Sequence, residues 1–232
     1  MKWLVWRTFR RMGIDIRPSY QSPSLIDFLR SRQVDLVLDV GANVGQFGQS
    51  VLNMGYRGQI VSFEPIAEVF ERLSANIAAH PNWTARNFAL GNTEGQAEIS
   101  VSQNTVFSSL RPQTELAADF DASSRTLRKE MIAIKRLDDI FAEFRSRNIL
   151  LKIDTQGFEK DVLLGATQSL GAISGVQLEI PIGQLYQQSW DMQQALAFMA
   201  ERGFVLCQTS VVNTMPEDRA AALELDCVFR RA

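Results

Sequence analysis

The sequence predicts an α/β fold of Rossmann-like type, a mostly parallel sheet closed by a terminal antiparallel hairpin. Three observations predict it. Short, nearly continuous apolar runs such as Asp35–Gly41 and Ile149–Asp154 read as strands buried on both faces, the kind that parallel sheets contain. These runs alternate with stretches whose apolar residues recur at helical spacing. A glycine-containing turn follows the first run, where a parallel sheet presents its ligand loop.

Each element follows in order. Ser22-Pro23-Ser24 punctuates the chain, with Pro23 suited to a first helical position, and Leu25, Ile26, Phe28 and Leu29 give a short helical stripe. After the strand at 35–41, Val44, Phe47 and Val51 mark a helix that Gly55 stops. Gln59–Phe63 is a second strand, Ile66, Val69, Phe70, Leu73 and Ile77 a helix of 3.6 period, and Trp83–Leu90 a third strand. Asn92–Gly95 has hairpin-turn composition, and Ala97–Val101 reads as an added antiparallel strand. Asn104–Lys129 is polar and has no firm period; it is expected to be a cover for the site or a surface excursion. The parallel pattern resumes at Ile149–Asp154, with a helix carrying Phe158, Val162, Leu163 and Ala166. Val176–Ile180 is a strand and Trp190–Arg202 a helix. Phe204–Thr209 and Leu225–Arg230, with no helix between them, form the closing hairpin.

Composition narrows the function classes. The 232 residues allow one large domain with a sizeable core, and 46% hydrophobic with 22% charged residues is ordinary for a water-soluble chain. A formal net charge of −2 argues against nucleic acid as a partner. Two cysteines, Cys207 and Cys227, and one histidine, His80, cannot build a zinc site. Both cysteines are expected to be buried free thiols in a reducing, cytoplasmic setting. The segment Met1–Arg17 interleaves Lys2, Arg7, Arg10 and Arg11 with Trp3, Trp6 and Phe9. It is too short in apolar residues for a membrane span or signal peptide. It reads as a helix packed on the main domain or on a second subunit, a homo-oligomer contact, with peripheral membrane contact as the alternative.

Chemistry concentrates where strands end. In an open parallel sheet, ligands sit beyond the carboxyl ends of the strands. Asp39 precedes the turn Gly41-Ala42-Asn43-Val44-Gly45, Glu64 follows the second strand, Asp154 ends the fourth and Glu179 lies near a further end. A dinucleotide fingerprint would need glycine where Asn43 and Gln46 stand, and a P-loop would need Gly-Lys-Ser/Thr, which is absent. Glu64 is placed to accept ribose hydroxyls of an adenosine ligand. A ring of Asp39, Glu64 and Asp154 would repel a pyrophosphate and tolerate a sulfonium and an ammonium, which favours S-adenosylmethionine over a nicotinamide cofactor.

Ordered motifs then bring a family into view. Val37–Gly45, Ser62-Phe-Glu-Pro65, Asn87–Gly91, Ser108-Ser-Leu110, Leu137-Asp-Asp139 and Leu151–Glu159 together resemble the motifs of FkbM-type methyltransferases, over roughly residues 34 to 180. The resemblance implies a class I methyltransferase sheet, S-adenosylmethionine as cofactor, and transfer to hydroxyl oxygens of sugars, polyketides or related small metabolites. It implies that Asp39, Gly41, Ala42, Asn43, Gly45, Glu64 and Pro65 line the cofactor. Asn87, Phe88 and Ala89 would lie near adenine, and Ser108, Ser109 and Asp154 near the methionine or methyl end. Many members carry Glu where Gln156 stands, which puts contacts of that position to an acceptor or metal in doubt. Residues 34–232 are thus expected to be a cofactor-binding catalytic domain and 1–33 a basic, aromatic helical appendage.

An alcohol acceptor must lose a proton, so a base or a metal is useful. His80 falls at the amino-terminal edge of the sheet, the wrong edge. Asp154, Glu159 and Glu179 remain as catalytic candidates, either as a base or as oxygen ligands of Mg²⁺. A nicotinamide-dependent oxidoreductase and a catalytically silent partner subunit are the alternatives.

Overall fold

The computed structural model describes residues 23–144 and 147–232. The basic, aromatic segment at 1–17 lies outside the described residues. The described chain opens with α1 (Leu25–Ser31), capped by Ser24 and Asp27 in a reciprocal box in which Ser24 N–H donates to Asp27 Oδ2 at 3.0 Å. Pro23 therefore stands just before the cap, not at the first helical position. Phe28 and Leu29 of α1 are buried in one cluster with Val37, Val51 and Val228, so packing shows no break at residue 33.

There follow β1 (Leu36–Val40), α2 (Gln46–Asn53), β2 (Gln59–Phe63), α3 (Ala67–Ile77), β3 (Trp83–Arg86), β4 (Ala89–Leu90) and β5 (Gly95–Ser102). Next come α4 (Glu115–Phe120), β6 (Thr126–Lys135), α5 (Leu137–Ile140), β7 (Ile149–Ile153) and α6 (Glu159–Leu164). The chain closes with β8 (Gly175–Pro181), α7 (Met192–Glu201), β9 (Phe204–Thr214) and β10 (Ala222–Arg231). Seven strands make one sheet in the order β3-β2-β1-β7-β8-β10-β9. Its first five are parallel neighbours, and β10 runs antiparallel between β8 and β9. The chain moves outward from β1 to β3 and returns to β7 on the other side of β1, so the order reverses between β1 and β7. That reversal opens a crevice at the carboxyl edge, where such sheets bind ligands. β1 and β7 are buried along their whole length, as their unbroken apolar runs require.

The expected third strand divides. Only Trp83–Arg86 pairs with β2; the chain then leaves the sheet at Asn87, whose Nδ2 donates to the carbonyls of Glu64 and Pro65 at 2.9 and 3.0 Å. Ala89–Leu90 joins a second, three-stranded sheet of order β4-β6-β5. β5 is antiparallel as expected, but its partner is β6, not the strand before the Asn92–Gly95 turn. The polar stretch 104–129 contains short helical turns, α4 and the start of β6, and its Thr105–Ser108 end lies over the crevice. Cys227 is buried and Cys207, expected to be buried, is exposed on β9; both are free. No helix among the described residues is long and apolar enough to cross a membrane.

A polar row crosses this apolar sheet one step below its carboxyl edge. Trp83 Nε1–H donates to Ser62 Oγ at 3.0 Å, and Ser62 Oγ–H donates to Asp39 Oδ2 at 3.2 Å. Lys152 Nζ lies 3.1 Å from Asp39 Oδ1 and 3.4 Å from Asp154 Oδ2. Ser62, Asp39 and Lys152 are in register across β2, β1 and β7.

Candidate active site

The carboxyl ends of the strands surround a cavity of about 500 Å³, a size that suits a small-molecule site. One wall is the turn after β1, where Gly41, Asn43 and Gly45 have φ of +76°, +48° and +95°. Gly41 is demanded by space as well as by φ, since a Cβ there would lie 1.9 Å from the Asp154 carbonyl oxygen. Asn43 tolerates the left-handed conformation because its short amide can bond locally. Its Oδ1 accepts from Val44 N–H at 2.8 Å, and its Nδ2 reaches across to Thr105 Oγ1 at 3.0 Å.

Glu64 anchors the next wall. It is buried at the end of β2 yet borders the cavity; Oε2 accepts from Asn43 N–H and Oε1 from Ile66 N–H, both at 2.9 Å. Burial pushes its pKa up to about 7 against the pull of those two amides. A carboxylate has about four acceptor sites, so two remain for a ligand. Ile66, Ala89, Leu90 and Ile99 form an apolar slot beside it.

The other half of the cavity is acidic. Asp154 follows β7, Glu179 lies on β8, and Glu224 and Asp226 on β10, which enters this edge because it runs antiparallel. Gln156, at φ +56°, ties the pair Asp154–Glu179 together. Its Nε2 donates to Asp154 Oδ1 at 2.9 Å and Glu179 Oε2 at 3.0 Å, while its Oε1 accepts from Tyr186 O–H at 2.7 Å. Burial, reinforced by Asp154 and Glu224, pushes Glu179 well above the usual carboxylate range. Burial likewise pushes Glu224 up to about 7 and raises Asp226.

The expected residues separate into two groups. Gly41, Ala42, Asn43, Glu64, Pro65, Ala89, Ser108, Asp154 and Glu179 border the cavity. Asp39, Gly45, Asn87, Phe88 and Ser109 do not. Asp39 is fully buried beneath the turn, Gly45 packs on Leu73 and Trp83, and Asn87 holds the backbone after β2. Lys135 covers the ring of Phe88. Ser109 supports Gln156 from behind, its Oγ–H donating to the Gln156 carbonyl at 2.6 Å. Glu159 also lies below the floor. Its Oε1 accepts from Thr155 N–H, Thr155 Oγ1–H and Gly157 N–H, so it shapes the loop that carries Asp154. His80 stands before β3, away from the cavity.

The expected ring of acids needs a further correction, since Lys152 stands inside it. Burial opposes the charge of Lys152, but Asp39 and Asp154 outweigh that and raise its pKa. Lys152 lies inside the motif run Leu151–Glu159, yet its role comes from its register opposite Asp39 on β1, which no local spacing marks. Glu224 and Asp226 were hidden for a different reason: their strand runs opposite to the parallel ones, so its amino-terminal end reaches the site. For the Mg²⁺ expectation, no group of three or more His, Cys, Asp or Glu among the described residues could hold a metal ion.

Removing Lys152 tests the row. Lys152→Met leaves Asp39 buried beside an apolar group, and breaking one partner of a buried pair costs about 3–5 kcal/mol. A lowered denaturation midpoint is the expected result; a midpoint within experimental error of the parent would show that Asp39 needs no cation.

Comparisons with known proteins bear on the family and the fold. The family model described as Methyltransferase FkbM domain matches residues 39–206. A relative in Pseudomonas aeruginosa, the AMB antimetabolite synthetase AmbE, is 27% identical over 176 residues, which is 62% of this chain. The chain spans only 8% of that relative's length. The methyltransferase domain of bacterial CtHen1 superposes with a TM-score of 0.50 at 11% identity, covering 90% of this chain and 95% of that one. Fibrillarin of Aeropyrum pernix, solved with natively bound S-adenosyl-L-methionine, gives 0.48 at 12% identity, over 84% of this chain and 66% of that one. At 11% identity the CtHen1 structure speaks for the fold alone.

Proposed function

The chain belongs to the family of FkbM-type methyltransferases, and from that premise we propose that it methylates a hydroxyl oxygen of a sugar, polyketide or related small metabolite, with S-adenosylmethionine as donor. The observation that carries the reading is Glu64. A buried carboxylate, locked to the glycine turn by Asn43 N–H and still holding free lone pairs toward the cavity, suits a ribose diol. The apolar slot of Ile66, Ala89, Leu90 and Ile99 suits adenine, and the anionic surroundings suit a cation and disfavour a pyrophosphate. Family membership sets aside the nicotinamide alternative. A net charge of −2 and the acidic cavity favour a small molecule over nucleic acid, and the two free thiols fit a reducing, cytoplasmic setting.

When bound, S-adenosylmethionine supplies a methyl carbon already activated by its sulfonium. The chain's own work is positioning, because an in-line displacement needs the acceptor oxygen at about 3–3.5 Å with its lone pair aligned. Glu64 and the turn at 41–45 fix one partner. Asp154 and Glu179, bridged by the Gln156 amide, face the other, and Asp154 accepts the hydroxyl proton. Glu159 and Ser109 keep the 154–157 loop in place, and residues 105–108 cover the site against water.

Calorimetry with S-adenosylhomocysteine tests the cofactor reading. We expect Glu64→Gln to weaken binding by about tenfold to a hundredfold, the loss of charge-assisted hydrogen bonds. The pH sign follows from the raised pKa. The folded protein holds a proton on Glu64 below about pH 7, and ribose hydroxyls need the bare carboxylate, so affinity rises as pH rises through about 7. The Gln variant should lose that rise. Parent-like affinity in the variant would end the assignment of Glu64. Labelled cofactor with a cell metabolite extract, read by mass, tests the acceptor class; binding without transfer would favour a silent partner subunit.

A further inference from the structure

We infer that the acceptor carries a cationic amine, seated over β8 and β10 against Glu179, Glu224 and Asp226. The inference rests on the methyltransferase reading and names its substrate class. Among the described residues, Glu64, Asp121, Asp154, Glu179, Glu224 and Asp226 border the cavity, and Lys152 is its one cation. Lys152 forms its ion pairs with Asp39 and Asp154 at the β1–β7 side, and among the described residues none of the β8–β10 acids has an ion pair with a cation of the wall, although the field of Lys152 reaches Glu179 and Asp226.

A second observation is independent of charge. Gln177, 95% buried by its 5% exposure, borders the cavity, and its Oε1 has no hydrogen-bond partner. The Gln177 amide lies beside Asp226, whose carboxyl its N–H end pulls down against the rise from burial. A bare carbonyl oxygen is therefore left beside carboxylates. Such a group calls for a donor, and an ammonium offers three donors and no acceptor. Asn213 Nδ2 supplies one donor to Glu224 Oε2 at 2.7 Å, and Gln156 supplies one to Glu179. Neither brings a positive charge.

The cofactor's own ammonium does not account for these groups. β10 is the third strand from β1 in the order β1-β7-β8-β10, about 14 Å away at ~4.8 Å per strand. An acceptor reaching from β10 back to Asp154 would bring its hydroxyl toward the turn after β1. The apolar side chains of Phe107, Phe120 and Val212 line the same half of the cavity and suit the carbon skeleton between amine and hydroxyl.

The test uses three matched probes, 5-aminopentan-1-ol, pentane-1,5-diol and 5-hydroxypentanoate, titrated with and without saturating S-adenosylhomocysteine. Binding is followed by calorimetry and by protein NMR shifts. We expect the amine to bind at least about tenfold tighter than the diol, and the hydroxy acid weakest, as for a charge entering a complementary, partly desolvated site. Glu224→Gln combined with Asp226→Asn should erase the amine's advantage. Equal binding of the three probes, no binding of any, or an advantage that survives the double variant overturns the inference. If S-adenosylhomocysteine binds while the amine shows no preference, only the acceptor class fails. If S-adenosylhomocysteine does not bind, the methyltransferase reading fails first, and the probe ranking without it still decides the acidic site.

Discussion

Asp154→Asn is expected to lower methyl transfer by about 10²–10⁴-fold, the range that a positioned proton acceptor contributes, while S-adenosylhomocysteine still binds within a few fold of the parent. Two contacts and a position make Asp154 hard to replace. One oxygen accepts from Gln156 Nε2, the other faces Lys152, and the side chain stands at the end of β7, next to the turn that would hold the donor. The asparagine side chain keeps the shape and can still accept from Gln156. It removes the negative charge, so Lys152 keeps only Asp39, and no proton can be taken at this point. Transfer is measured with labelled cofactor on the extract fraction that the parent methylates. Turnover within about threefold of the parent would move the proton-accepting role to Glu179 alone.

Gly41→Ala is expected to cost about 4 kcal/mol or more of stability, at the upper end of what one substitution does, and to abolish S-adenosylhomocysteine binding. Its Cβ would meet a backbone oxygen 1.9 Å away, which cannot rotate aside as a side-chain end could. The left-handed φ of +76° adds about 1–2 kcal/mol for any residue with a Cβ. Relief requires the β1 turn and the Asp154 loop to part, which pulls apart the two walls of the cavity. Urea denaturation and calorimetry read the two losses separately. A variant that unfolds at the parent's urea concentration would show that the turn can yield cheaply.

Strands buried on both faces announced themselves by unbroken apolar runs, so β1, β2, β7 and β8 were legible in the sequence to within a residue or two. The glycine turn and Glu64 were legible for a related reason: backbone geometry and a carboxylate at a strand end leave local marks. The division of Trp83–Leu90 was not, because Asn87 diverts the chain by bonding two carbonyls distant in sequence. β6 was missed because Arg128 and Glu130 share a face with the buried Ile132 and Ile134 while Leu127 and Met131 stand exposed on the other, which spoils the alternation, and its partner β5 lies some thirty residues earlier. Asp39 read as a ligand residue since it precedes the turn. Only its register opposite Lys152 and Ser62 shows that it faces into the sheet. Pairing across strands is a tertiary fact, and the acids of β10 entered the site through it as well.

The chain of bonds from Trp83 through Ser62 and Asp39 to Lys152 has a consequence for how the protein assembles. Valine-, leucine- and isoleucine-rich strands pair almost equally well when slid along one another, and a slip of two residues keeps every side chain on its own face. Sliding β7 by two against β1 would set Lys152 opposite Val37 or Gly41 and strand its charge, while Asp39 would face Leu150 or Asp154. The row thus acts as an alignment key, penalising misassembled sheets by several kcal/mol. Only the aligned sheet brings the Asp154 carbonyl against Gly41.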